Sequence, residues 1–504
     1  MCSIFGHINF NKNLFEKNKF IEASDLMLSR GPDSKSYSSD NNYYQFAFNR
    51  LAIQDLNVTG NQPMVSSCER YVCIFNGEIY NFKNIFEEIK NEFEWRGSSD
   101  TEVLLNAWSI WQEKCLDKID GMFAFAIWDL EKKKLTLGRD RIGEKPIYYF
   151  TDNNFIIFSS RPKSIFKICP YLKKNIDNES LNFYLSAGFF PRIKSFYSNI
   201  KKLEPGTYLN FSEQNLSLNK YWDINKFHPT KINESSIDYN VDKCEELLKE
   251  SIYDRLISDK PLGFFLSGGV DSSLIVSLAS KILKKEKIQT FNLGFDDSDF
   301  DESKDAELVA DHLGVKLKKK KLNAKNLIDL FPKFYDNFDE PFADTACFPL
   351  MAISEFAKKD VDVVITGDGG DELFGGYSYY SIIDFFNKYN KNIFFLRKLF
   401  PLVFVLKNSR INKFILLSEL FNQSNLISKF SFMRSARKDF ANILLNKNIV
   451  DQYDITNEFN AYSKEMLLNK SDVDKSMKLD ILTTFNDNYL QKSDLSTMSY
   501  SLEC

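Results

Sequence analysis

Cys2 follows the initiator methionine directly. Removal of Met1, which a small second residue favours, leaves a terminal cysteine carrying both a thiol and a free α-amine. Such an amine titrates near pH ~7.7 to 8, so close to neutrality part of it can take the thiol proton, directly or through one water. The pair is a nucleophile with its own base, and it needs no histidine in a chain that has three. Standing alone, Cys2 would equally suit a small buried hydrophobe. A thiolate attacking an amide generates an oxyanion, for which the Asn76 side chain and the Gly77 backbone N–H are candidate donors. Arg50 could clamp a carboxylate, and Glu78 or Asp100 could hold an ammonium. A surface salt bridge is the competing reading of each of these taken singly.

A second chemistry sits in two glycine-rich acidic loops. Ser267-Gly268-Gly269-Val270-Asp271-Ser272 lies between an apolar run and a helical pattern, where glycines admit a phosphate and a helix N-terminus offers free amides. Asp271 would repel that phosphate unless a divalent cation lay between them, which points to Mg2+. No lysine follows the loop, so it is not a Walker A motif, and the dinucleotide fingerprint does not fit either. Thr366-Gly367-Asp368-Gly369-Gly370-Asp371-Glu372 follows a second apolar run, with Asp371 the candidate second metal ligand. An ordinary capped glycine turn is the alternative for both loops.

These residues need a scaffold, and the pattern supplies two kinds. Ile4–Phe10, Tyr43–Phe48, Tyr71–Phe75, Phe123–Trp128, Leu135–Arg139, Ile147–Phe150 and Phe155–Ser159 read as strands, with helical pattern near Phe15–Leu28 and Thr101–Trp111. That predicts a layered α+β domain over residues 1–210. An Asn- and Ser-rich passage, 211–236, reads as a linker. From 237 the text alternates strand, loop and helix: Pro261–Leu266, Leu274 to Ile282 at helical spacing, Ile288–Phe295, Asp301–Leu313 and Val361–Thr366. This is the mark of an α/β domain with a parallel sheet, over 237–504. Both acidic loops would then open at the carboxyl edge of one sheet. Tyr377 to Lys470 reads as a helical addition.

Composition narrows the function. At 504 residues two or three domains are expected. The 65 Lys plus Arg against 69 Asp plus Glu give no field that would gather nucleic acid or an anionic membrane, and Lys318 to Lys321 read as a solvated strand edge. The eight cysteines form no Cys-x-x-Cys pair, which argues against a disulfide scaffold or zinc site and fits a reducing cytoplasm. There is no secretory pattern at the start, and Phe394 to Leu406 is too short and too charged to span a bilayer.

Taken in order, the motifs carry a resemblance. Met1-Cys2-Ser3-Ile4-Phe5-Gly6, Arg30-Gly31-Pro32-Asp33, Arg50-Leu51-Ala52-Ile53, Phe75-Asn76-Gly77-Glu78, Gly121-Met122-Phe123-Ala124 and Arg139-Asp140-Arg141-Ile142-Gly143 resemble the glutaminase domain of glutamine-hydrolysing asparagine synthetases. It continues through Leu266-Ser267-Gly268-Gly269-Val270-Asp271-Ser272-Ser273, Asp339-Glu340-Pro341-Phe342-Ala343-Asp344 and Gly367-Asp368-Gly369-Gly370-Asp371-Glu372-Leu373-Phe374-Gly375-Gly376-Tyr377. The resemblance implies an N-terminal-nucleophile αββα sandwich followed by a pyrophosphatase-type ATP-binding domain. In it Cys2 would attack glutamine, Asn76 and Gly77 would form the oxyanion hole, and Arg50, Leu51, Ala52, Ile53, Gln54, Glu78 and Asp100 would hold the substrate. Leu266, Ser267, Gly268, Gly269, Asp271, Ser272, Leu293, Thr366 and Gly367 would bind ATP, with Mg2+ on Asp271 and Asp371 and with Asp368 and Lys492 completing the catalytic set. The implied partners are glutamine, aspartate and ATP, in a cytoplasmic enzyme with a homodimer as one candidate assembly and ammonia passed through an internal tunnel.

Two departures stand out. Ser29 occupies a position where the family often has His. The last residues, Lys492 to Cys504, resemble a family segment that runs on into Arg, Pro, Phe, Leu and a further helical region, so a chain cut inside a motif is expected. The same chemistry on a uronic acid or another carboxylate of a polysaccharide precursor is the alternative acceptor, with the residues around Asp339 to Asp344 expected to read it. A half-active nucleotide-binding homologue is the third reading.

Overall fold

The computed structural model describes residues 2–191, 193–213, 215–226, 237–296, 301–393, 425–434, 456–463 and 471–504, with 420, 423 and 444 singly between them. Most of the helical addition expected before Lys470 lies outside the described residues. Among the described residues twelve strands build the first domain: β1 (Ser3–Asn9), β2 (Ser34–Ser39), β3 (Tyr44–Arg50), β4 (Met64–Val65), β5 (Tyr71–Ile79), β6 (Gly121–Asp129), β7 (Lys134–Arg139), β8 (Tyr148–Thr151), β9 (Phe155–Ser159), β10 (Lys201–Lys202), β11 (Thr207–Ser212) and β12 (Asn215–Lys220). They form two six-stranded sheets, ordered β10-β8-β9-β1-β3-β2 and β12-β11-β7-β6-β5-β4.

Side-chain alternation explains why these strands are apolar on both faces. On β1, Ile4 and Ile8 point between the sheets, while Phe5 points out onto Phe20 of the helix Lys17–Asp25. On β6, Ala124, Ala126 and Trp128 fill the gap between the sheets, and Phe123, Phe125 and Ile127 face the helices Phe82–Ile89 and Asp100–Trp111. Each sheet is therefore covered by helices outside and by its partner sheet inside, which is the expected αββα sandwich. The same parity carries Cys2 and Asn76 to the inner faces, Cys2 two residues before Ile4 and Asn76 two after Ile74.

The linker expected from 211 is a correction. Residues 207–220 form a hairpin whose first strand pairs with β7 in the register Tyr208↔Gly138 to Phe211↔Leu135. Only alternate residues of β11, Leu209 and Phe211, are fully apolar and buried, and β12 is a largely exposed edge, so its polar text hid the strands.

The second domain carries a parallel sheet, with β13 (Leu262–Phe265), β14 (Gln289–Phe295), β15 (Lys316–Leu322) and β16 (Val363–Ile365) in the order β15-β14-β13-β16. One face packs the helices Ile237–Arg255, Val270–Ile282 and Ser303–Leu313, and the other packs the helix Cys347–Ala357 with Leu502. Neighbouring β13 and β16 put the two acidic loops side by side. β15 is the lysine-rich edge, and each of Lys318 to Lys321 pairs with an acid: Asp360, Glu307, Glu355 and Asp296 in turn. Charged edges of this kind discourage further strand pairing. Beyond β16 the chain end adds one more rung, Val364 N–H donating to Glu503 O at 2.8 Å. Among the described residues no helix is long and apolar enough to cross a membrane.

Candidate active sites

The thiol site is assembled where β1 begins and β5 ends. Cys2 N–H donates to Asn76 Oδ1 at 3.0 Å, and Cys2 Sγ lies 3.7 Å from Leu51 O. Burial pushes the thiol up to about 11, so the sulfur holds its proton at neutral pH until a base removes it. Asn76 Nδ2 is buried with no hydrogen-bond partner among the described residues. An orphaned donor in a native interior normally marks a missing acceptor, and an oxyanion here would be one. Gly77 is required by close approach, since a Cβ there would lie 2.0 Å from Met122 O.

Asp100 is placed by its helix. Ser99 caps the helix Asp100–Trp111 by accepting from Glu102 N at 3.2 Å, and Asp100 stands in the first turn, where a carboxylate suits the helix dipole. Asp100 Oδ2 accepts from Ile79 N at 2.9 Å, while burial lifts its carboxyl to about 6. Glu78 is raised well above the usual carboxylate range by burial and then by Asp100, and its Oε2 accepts from Gln54 Nε2. Two acids so destabilised in their charged forms would welcome an ammonium.

Arg50 is used differently from the expected clamp. Its Nη1 donates to Asn57 O at 2.8 Å and Asn61 Oδ1 at 2.9 Å, and its Nη2 to Gln54 O at 3.3 Å and to Asp55 O. The guanidinium shapes the loop that carries Gln54. Ala52 N–H donates to Asp33 Oδ2 at 2.9 Å, while Leu51 and Ile53 pack on Val363 and Met498 of the second domain.

Sequence reasoning missed the brace behind the thiol. Arg30, 1% exposed, makes a bidentate pair with Asp494 at 2.7 and 2.8 Å, and its Nε donates to Cys2 O at 3.3 Å. The Arg-Gly-Pro-Asp loop was visible, but a partner 464 residues away leaves no local signal.

The second site is a cavity of about 690 Å3 at the carboxyl edge of the parallel sheet. Leu266, Ser267, Gly269, Asp271, Ser272, Leu293, Thr366 and Gly367 line it, as do Asp368, Asp371 and Lys492. Gly268 does not line it. Its φ of +89° turns the chain, and a Cβ there would sit 2.7 Å from Ala306 N. The helix Val270–Ile282 opens without a side-chain cap, leaving its first amides for an anion. Around the turn Ser267 Oγ and Ser272 Oγ meet at 3.0 Å.

Asp271 is raised by burial and then by repulsion from Asp371, and neither carboxylate has an ion-pair partner among the described residues. Gly370 leaves the space: a Cβ there would fall 2.5 Å from Asp271 Cγ. No group of three or more potential metal ligands gathers among the described residues. This donor set fits Mg2+, which takes one or two carboxylates and completes its shell with phosphate and water. Asp368 Oδ2 accepts from Thr366 Oγ1 at 3.1 Å and Ser493 Oγ at 2.9 Å, and Lys492 Nζ pairs with Asp344 Oδ2 at 3.2 Å.

Of the Asp339–Asp344 loop only Asp344 reaches this cavity. Asp339 is held by Arg161, and Glu340 Oε2 accepts from Tyr148 OH at 3.0 Å, so both serve the seam between the domains. Within that seam lies a further cavity of about 370 Å3. Ile53, Glu78 and Lys145 line its thiol-domain side, and Asp271, Thr366 and Asp368 its other side. Lys145 and Glu503, both 2% exposed, pair across it at 3.1 Å.

Known proteins bear on both halves. A family model described as a glutamine amidotransferase domain matches residues 1–222, and one described as asparagine synthase matches residues 243–504. Asparagine synthetase (glutamine-hydrolyzing) 1 of Bacillus subtilis strain 168 is 32% identical over 519 residues, covering 100% of this chain and 78% of that protein. Asparagine synthetase (glutamine-hydrolyzing) 3 of the same strain is 31% identical over 403 residues, covering 76% of this chain and 64% of that protein. Asparagine synthetase B (glutamine-hydrolyzing) of Escherichia coli K12 is 29% identical over 401 residues, covering 75% and 65%. A match that runs the whole length of the chain, on top of a family model over each half, makes this protein a member of the glutamine-hydrolysing asparagine synthetase family.

Proposed function

We propose that the chain releases ammonia from glutamine at Cys2 and uses it to amidate aspartate activated by ATP, giving asparagine, glutamate, AMP and diphosphate. The observation that carries this reading is the cavity whose lining is shared between Glu78 and Ile53 on one side and Asp271, Thr366 and Asp368 on the other. A cavity bordered by Glu78 of the thiol site and by the nucleotide loops supports transfer of the released ammonia between them.

With Met1 removed, the nitrogen that now hydrogen-bonds Asn76 Oδ1 becomes the α-amine. It takes the Cys2 proton, and the sulfur attacks the glutamine amide carbon. The oxyanion accepts from Asn76 Nδ2 and Gly77 N–H, the protonated amine donates to the departing nitrogen, and ammonia leaves behind a γ-glutamyl thioester that water hydrolyses. Glu78 and Asp100 hold the substrate ammonium, while Arg50 keeps the Arg50–Gln54 loop in shape around it.

In the larger cavity Leu266 and Leu293, with Thr366 and Gly367, receive the adenine nucleotide, and the Ser267–Ser272 loop receives its phosphates. Asp271 and Asp371 would hold Mg2+, which when bound offsets phosphate charge. A carboxylate oxygen of aspartate attacks the α-phosphorus, diphosphate leaves, and ammonia then displaces AMP from the acyl carbon. Lys492 neutralises charge that builds on the acyl-adenylate, and Asp368 takes the proton ammonia sheds. Incubating the protein with glutamine, Mg-ATP and a panel of carboxylates while following AMP release tests the reading. Aspartate should support release. Release with a uronic acid and not with aspartate would replace the acceptor.

A further inference from the structure

Tyr148 belongs to the thiol domain, yet its hydroxyl is spent wholly on the other one. The side chain is buried at the start of β8. Its OH donates to Glu340 Oε2 at 3.0 Å and accepts from Gln491 Nε2 at 3.1 Å. Glu340 lies in the loop that runs to Asp344, and Gln491 immediately precedes Lys492. Asp344 and Lys492 pair at 3.2 Å inside the nucleotide cavity, which Tyr148 itself does not line. One phenol therefore ties together the two segments that carry the cavity's charge pair.

The surroundings leave that tie little freedom. Glu340 Oε1 accepts from Phe196 N at 2.6 Å, and Arg161, 2% exposed, holds the neighbouring Asp339. Two small voids, of about 10 and 20 Å3, border Tyr148 and Gln491.

We propose that Tyr148 is a positioning residue for amide formation, through which the thiol domain sets the placement of Lys492 and Asp344. The proposal rests on the 690 Å3 cavity being the place where a carboxylate is activated. Its effect is on alignment: a displacement on the order of 1 Å at a reacting group can cost about a hundredfold in rate. The second domain would then not be a self-sufficient catalyst, since part of the synthetase geometry is imposed from across the seam.

Tyr148→Phe keeps the ring and removes both bonds. With ammonium chloride as nitrogen source, the variant should release AMP with kcat lowered roughly ten- to hundredfold, while its KM for ATP and its ATP-independent release of glutamate from glutamine stay near those of the wild type. An unchanged kcat would overturn the proposal, and so would equal losses in AMP and glutamate release accompanied by a lowered Tm, the pattern of a merely structural role. Gln491→Leu supplies a second variant that spares the phenol. It should lose kcat as well, and the double variant should be little worse than Tyr148→Phe alone, because both act through one hydroxyl. Fully additive losses would count against the tie. If the wild type releases AMP with a carboxylate other than aspartate, the acceptor reading fails and the same comparison is made with that carboxylate. No AMP release from the wild type with any carboxylate would overturn both.

Discussion

At the scale of the residue, the thiol site combines a sulfur that burial holds protonated with acids that burial holds reluctant to ionise. A thiol pushed up to about 11 is inert near neutrality without a base at hand, and the proposed mechanism gives that part to the terminal amine. Cys2→Ala should abolish glutamine-dependent synthesis and leave ammonia-dependent AMP release intact; assays of the two nitrogen sources on one preparation would separate them, and equal loss of both would contradict separate sites. Asp100 makes a prediction about stability. Its pKa rises from 3.8 to about 6 on folding, mainly through burial. Between those values the folded chain keeps a proton that the unfolded chain has released, so this group's contribution falls as pH rises from about 4 to 6 and is flat above. Asp100→Asn should lack that dependence, and Tm measured against pH for both proteins would reveal the difference.

At the scale of the element, positions depend on turns that admit nothing larger than glycine. Gly370→Ala would drive a methyl to within 2.5 Å of Asp271 Cγ, so Mg-ATP-dependent AMP release should fall severely while glutaminase activity persists. Glutaminase and AMP assays on the variant would check this. Much of this scale was legible. Apolar strands with both faces buried, such as β1 and β6, announce themselves through Ile, Phe and Trp, and the acidic loops follow the strands that place them. The hairpin of β11 and β12 escapes such reading, because its exposed faces are Asn, Ser and Lys and the alternation is half hidden, whereas Lys318 to Lys321 read as the strand edge that β15 forms. Arg50 was read as a ligand clamp, but the sequence could not show the carbonyls of residues 54 to 57 closing around its fork. Of the expected nucleotide residues only Gly268 stays outside the cavity, its role being the turn itself.

At the scale of the whole molecule, the domains are joined by buried charges that no local pattern foretells: Arg30 with Asp494, Lys145 with Glu503, and Arg161 with Asp339. Breaking such a pair leaves one charge stranded away from water, typically at about 3–5 kcal/mol. Asp494→Leu should therefore lower Tm markedly and impair both activities, since Arg30 also touches Cys2 O and Ser493 touches Asp368. Thermal melts and the two assays together would show whether this brace serves both sites. In the seam these pairs cross lies a cavity bordered by Glu78 on one side and by the nucleotide loops on the other. The central claim is that nitrogen freed at Cys2 travels within that seam. It is tested most directly by supplying glutamine labelled with 15N in its amide, together with aspartate, Mg-ATP and a modest excess of unlabelled ammonium, and measuring the isotope in the asparagine formed. Asparagine carrying mostly 15N is expected; asparagine whose nitrogen matches the bulk ammonium would contradict the account.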